Sequence, residues 1–82
     1  MDGNADLETL RTIFRLALDL PDDADVSEIR RLNHPRWDSL AHTSLCFAIE
    51  SEFGFALSVE EMEEVASLES AWWIVEERRG GG

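Results

Sequence analysis

Four helix-boundary signals fall within the thirty residues from Asp38 to Ser67. Asp38 reads as an N-cap, Gly54 as a left-handed C-cap, Ser58-Val59-Glu60-Glu61 as a capping box and Ser67 as a further N-cap. These stops divide the second half of the chain into short helices. They run from Asp38 to about Phe53, from Ser58 to about Ala66, and from Ser67 to Arg78 and Arg79, whose charges suit a helix C-terminus. Upstream, Asp6 is a candidate N-cap, and Leu7, Leu10, Ile13, Phe14, Ala17 and Leu18 recur at helical spacing. Leu20-Pro21-Asp22-Asp23 should end that helix. From Pro21 to Trp37 the chain is polar, with Val26, Ile29 and Leu32 as apolar anchors and a short helical turn expected near Ser27–Leu32. The predicted fold is all-α: a small four-helix bundle of three longer helices and a short third, with a long first loop. At 82 residues there is room for one domain, expected over 1–79, with 80–82 a flexible glycine tail. Its core should contain Leu10, Phe14, Leu18, Leu45, Ile49, Phe53, Leu57, Val65, Leu68 and Trp72.

Charge narrows the range of partners. Eighteen acids against seven bases leave a net charge of -11, and all seven bases are arginine. Phosphate backbones and anionic membrane surfaces repel such a chain, which argues against nucleic acid and membrane as partners. Without lysine there is no Schiff-base chemistry and no P-loop. One cysteine and two histidines make no disulfide and no zinc site. Met1-Asp2-Gly3-Asn4 is unlike a secretory signal and no apolar run approaches ~20 residues, so the expected compartment is the cytoplasm. From Trp37 to Glu77 there are ten acids and no base. A solvated surface that keeps a small protein monomeric accounts for acidity in general. Forty-one consecutive residues without a base point further, to docking on basic protein surfaces.

The second helix is apolar on two faces. On a wheel of ~100° per residue, Leu45, Ile49 and Phe53 form a core stripe with His42 and Cys46 at its edges. Leu40 and Phe47 lie on the reverse side, roughly 200–220° from Leu45, and Thr43 joins them. A domain this small has little centre, so Leu40, Thr43 and Phe47 are expected to form an exposed patch rimmed by Glu50, Glu60, Glu61, Glu63 and Glu64. The alternative is that Phe47 packs under the first loop.

Trp37-Asp38-Ser39-Leu40-Ala41-His42 followed by Ala48-Ile49-Glu50-Ser51-Glu52-Phe53-Gly54 resembles the centre of an acyl carrier protein. That family opens its second helix with Asp-Ser-Leu, then has a short acidic third helix and an apolar fourth, and the resemblance covers essentially the whole chain. It implies that Ser39 carries 4′-phosphopantetheine, placed there from coenzyme A by a phosphopantetheinyl transferase, with Asp38 helping to position the serine. The thiol of that arm would hold an acyl group as a thioester and present it to acyl-loading and acyl-using enzymes, to which the catalysis belongs. Leu40, Thr43, Phe47 and the acids Glu50, Glu60, Glu61 and Glu64 match positions that contact partners. A helix N-terminus suits the phosphodiester physically. Arg36 stands where many members have glycine, and Ser44 where many have an acid. Trp37 resembles a subset of stand-alone carriers in specialised surface-polysaccharide or secondary-metabolite pathways. Together these imply a dedicated carrier for one small acyl, hydroxyacyl or aminoacyl unit, not the housekeeping fatty-acid carrier.

Rival readings remain open. The domain could be an aminoacyl or peptidyl carrier, or an unmodified four-helix adaptor in which Ser39 only begins a helix. A hydrolase built on Ser39 and His42, neighbours at i,i+3, lacks a group to orient the imidazole and a glycine elbow. His42 is instead expected at the core edge, His34 in a loop and Cys46 buried. Of the adjacent pair, Trp72 should be mostly buried and Trp73 partly exposed, with no third aromatic to complete a ligand cage.

Overall fold

In the computed structural model, which describes residues 3–80, the first helix, α1 (Gly3–Ala17), begins three residues before the expected cap. Asp6 therefore lies in its first turn, where a carboxylate favours the helix dipole, and is not the N-cap. The helix ends before Pro21 is reached. Asp19 takes a left-handed conformation (φ 57°), its N–H donates to Leu16 O at 3.3 Å, and Leu20 N–H reaches Arg15 O at 2.7 Å. These two bonds make a Schellman closure with aspartate in the position glycine usually holds. Pro21 then follows a helix already stopped.

The connection from Leu18 to Asp38 is held at several points. Arg15 Nε donates to Ala24 O at 2.8 Å, and Asp25 Oδ1 accepts from Ser27 N at 3.0 Å and Ser27 Oγ at 2.6 Å. Arg31 N donates to Ala66 O at 3.0 Å, and Arg30 pairs with Ser67 in an isolated antiparallel bridge. The helical turn expected at Ser27–Leu32 is replaced by separate turns on either side of that bridge, because Arg30 and Arg31 pair with the start of the last helix. Val26 is fully buried and Ile29 half-buried, whereas Leu32 is 99% exposed and anchors nothing.

The second helix, α2 (Ser39–Phe53), is bounded as its sequence indicates. Asp38 accepts from Ala41 N at 2.8 Å, and Gly54 (φ 75°) closes the C-terminus by donating to Glu50 O at 2.9 Å. α3 (Val59–Glu64) opens with the complete capping box between Ser58 and Glu61, and stops short of Ala66 because Val65 turns extended with its side chain fully buried. α4 (Leu68–Gly80) is capped by Ser67, whose Oγ accepts from Ser70 N at 3.1 Å while Ser70 Oγ accepts from Ser67 N at 3.1 Å. The helix thus includes Gly80; the expected tail beyond it, Gly81 and Gly82, lies outside the described residues.

α1 packs against α2 and α4, and α3 against α4. Eight of the ten expected core residues are buried, while Phe53 and Trp72 are half-buried at the margin. Ile13, Val26, Trp37, Ala41, Cys46, Ala71, Ile74 and Val75 complete the interior. Among the described residues no helix is long and apolar enough to cross a membrane.

Candidate functional site

The start of α2 is held from beneath by an aromatic pair. Trp37 occupies the position before the N-cap and His42 the fourth residue of the helix, the two places joined by a hydrophobic staple. Here the staple is also a hydrogen bond: the Trp37 indole Nε1 donates to His42 Nδ1 at 3.0 Å, and the two rings stack at 6.1 Å. His42 Nε2 lies 2.8 Å from Met62 O on α3, so it carries the proton and donates. Trp37 also meets Phe14 of α1 edge-on at 5.4 Å. Loop end, α1, α2 and α3 thereby converge on one indole–imidazole pair. Burial lowers the His42 pKa below its usual value, with the hydrogen bond to the Met62 carbonyl acting against it.

Above this pair Asp38 and Ser39 face solvent. Asp38 uses its side chain as the cap, and its carbonyl accepts from His42 N at 2.9 Å. Ser39, the first residue of α2, is exposed, and its carbonyl accepts from Thr43 Oγ1 at 3.0 Å. Ala41 N bonds the cap, and the N–H groups of Ser39 and Leu40, in the first turn, have no intrahelical acceptor. The Ser39–His42 pair has no hydrolase geometry: one imidazole nitrogen accepts from Trp37 and the other donates to Met62, leaving no lone pair to act as base.

The reverse face of α2 is open. Leu40 is 77% and Phe47 62% exposed, with Thr43 and Ser44 exposed beside them in sequence, so Phe47 does not pack under the first loop. Val59 at the start of α3 is a further exposed apolar side chain that helical-wheel reasoning on α2 did not reach. Of the expected acidic rim, Glu60, Glu63 and Glu64 are exposed. Two others are engaged within the fold. Glu50 Oε2 accepts from Leu57 N at 2.8 Å, bracing the turn after α2. Glu61 accepts from Ser58 N and from Arg78 Nε and Nη2, the latter two at 2.9 and 2.5 Å, with Arg78 lying 5.1 Å over the Phe55 ring. The Arg78 hydrogen bond holds the Glu61 carboxyl at a pKa of about 2. These two roles are structural, set by contacts 7 and 17 residues away that no local pattern displays.

Cys46 is buried, with Sγ 3.8 Å from His42 Nε2, and burial raises its pKa, which disfavours the nucleophilic thiolate. Among the described residues no three or more His, Cys, Asp or Glu side chains gather as a metal site. Trp72 is half-buried and Trp73 exposed. A groove of about 420 Å³ runs between the end of α1 and the start of α2, bordered by both chain neighbours of Ser39, Asp38 and Leu40. Arg36 and Asp19 stand across it as an ion pair at 3.5 Å. Comparison with protein-family models, with curated proteins and with solved structures returned no match.

Proposed function

We propose that this chain is a stand-alone carrier domain of the acyl-carrier type, with Ser39 as the attachment point for 4′-phosphopantetheine. The observation that carries the reading is the placement of Ser39: an exposed hydroxyl on the first residue of α2, directly after a capping aspartate, on a helix start fixed by the Trp37–His42 staple. The donor set fits the group. Helix N-terminal N–H groups and the Arg36 guanidinium favour a phosphodiester on that hydroxyl, while the open groove leaves room for a chain attached to it.

In the transfer, Ser39 Oγ attacks the phosphorus of coenzyme A that bears the pantetheine. A new P–O bond forms, the bond to the leaving adenosine 3′,5′-bisphosphate breaks, and the hydroxyl proton passes to a base on the transferase. Asp38 keeps the helix start rigid during this step by retaining Ala41 N–H. When bound, the arm supplies a thiol that holds acyl groups as thioesters. Leu40, Thr43 and Phe47 offer the partner enzymes an apolar contact, and Glu60 and Glu64 offer charge to basic surfaces.

The test is the intact mass after incubation with coenzyme A and a broad-specificity phosphopantetheinyl transferase, with Ser39→Ala in parallel. One added phosphopantetheine on the native chain alone, with both proteins equally helical, is the expected result. No gain on a folded native chain would replace this reading with an unmodified interaction module. Loading assays with acyl and aminoacyl donors then separate an acyl carrier from an aminoacyl carrier.

A further inference from the structure

Resting on that reading, we propose that the arm on Ser39 lies in the groove between the end of α1 and the start of α2, with Arg36 holding its phosphodiester. Asp38 and Leu40, the residues flanking Ser39, border the groove although Ser39 itself does not, and its about 420 Å³ is within the roughly 300–1,000 Å³ of small-ligand clefts. Its apolar lining residues are Ala17, Leu18, Pro35, Leu40 and Ala41. Those side chains suit the branched alkyl part of a pantetheine, and Ser44 can hydrogen-bond an amide.

Charge selects this direction over the others. Arg36 borders this groove together with the carboxylates of Asp19 and Asp38, whereas on the α3 side the Arg78 guanidinium is already bound by Glu61 and the exposed side chains include Glu60, Glu63 and Glu64. Towards α1 the phosphodiester meets a guanidinium. The present partner of Arg36 holds it weakly: Asp19 is 3.5 Å away, and both side chains are exposed. Bidentate hydrogen bonds to phosphate oxygens are stronger than such a contact and displace it. The other conceivable resting place, the space between the helices, is filled by Phe14, Leu10, Leu45 and Ile49, each no more than 1% exposed. The cargo of this carrier is accordingly held at the surface, on the α1 side of Ser39.

Amide proton–nitrogen correlation spectra of the full chain before and after modification test this, with the mass confirming the modification. The expected result is that the amides of Ala17, Leu18 and Asp19, twenty or more positions from Ser39, shift on modification. In Arg36→Ala those shifts should fall at least about twofold, and the phosphorus resonance should sharpen as the phosphodiester is released. Raising salt to about 1 M should shrink the same shifts in the unsubstituted protein, a check that does not depend on the variant. Shifts confined to the immediate neighbours of Ser39, or centred on Leu45, Ile49 and Val65, would overturn the inference and leave the carrier reading standing. Absence of any mass gain would overturn both.

Discussion

His42 is the residue on which the start of α2 turns. It is a histidine used as a neutral core group, accepting from Trp37 and donating to Met62, with no room for a second ring proton. Trp37→Phe would keep the ring against Phe14 but leave His42 Nδ1 buried without its donor. The expected cost is about 1–3 kcal/mol, read from urea unfolding; no change would mean that the bond is dispensable. The pH dependence has a definite sign. The unfolded chain takes up the His42 proton near its ordinary value of 6.5, the folded chain only at lower pH. The unfolded state therefore binds more protons in that window, so the contribution is complete above about pH 6.5 and is lost as the pH falls through the lower folded value. Urea midpoints should drop between about pH 7.5 and about pH 5.5, and a flat profile would contradict the buried, singly protonated ring.

Each helix boundary depends on contacts spanning few residues, whereas the role of each helix face depends on what stands opposite. α2 shows the difference. Its wheel has apolar residues on two faces, and the Leu45–Ile49 face is the one buried in the core, while α1 packs on α2. Leu45, fully buried, and Phe47, mostly exposed, make the contrast measurable. Leu45→Ala should cost about 2–5 kcal/mol by lost burial and the cavity it leaves. Phe47→Ala should cost less than about 1 kcal/mol and, under the carrier reading, slow turnover by a partner enzyme; a loss as large as that of Leu45→Ala would show that Phe47 is part of the core. α3 has no buried residue and is kept in place by other means: its capping box, the Met62 carbonyl on His42, and the Glu61–Arg78 pair to α4. This acidic helix is thus tied to the body by its cap and by bonds to α2 and α4 and not by buried side chains.

For the whole molecule the dominant quantity is a net charge of -11 spread over a small core. Self-repulsion among carboxylates opposes compaction, and salt screens it. The melting temperature should therefore rise as sodium chloride is raised from about 10 mM to about 0.5 M, and a rise of about 4–8 °C would correspond to roughly 1 kcal/mol. A fall would mean that attractive pairs such as Glu61–Arg78 outweigh the repulsion. Under the carrier reading the same excess steers the domain towards basic partners.

The all-helical class, the caps at Asp38, Ser58 and Ser67, the stop at Gly54 and the exposed Leu40–Phe47 face were legible from the chain alone. Each depends on residues within about one or two helical turns, so spacing carries the information. The left-handed closure at Asp19 is local too, but without glycine it left no clear mark, and Pro21 took its place in the reading. Whatever depends on distant partners was settled only by the tertiary structure. Trp37 meeting Phe14, Leu32 left in solvent, the loop pairing with Ser67, Glu50 drawn to Leu57 and Glu61 drawn to Arg78 all belong here. The groove beside Ser39 does as well, because its walls come from segments twenty residues apart that meet only when α1 packs on α2.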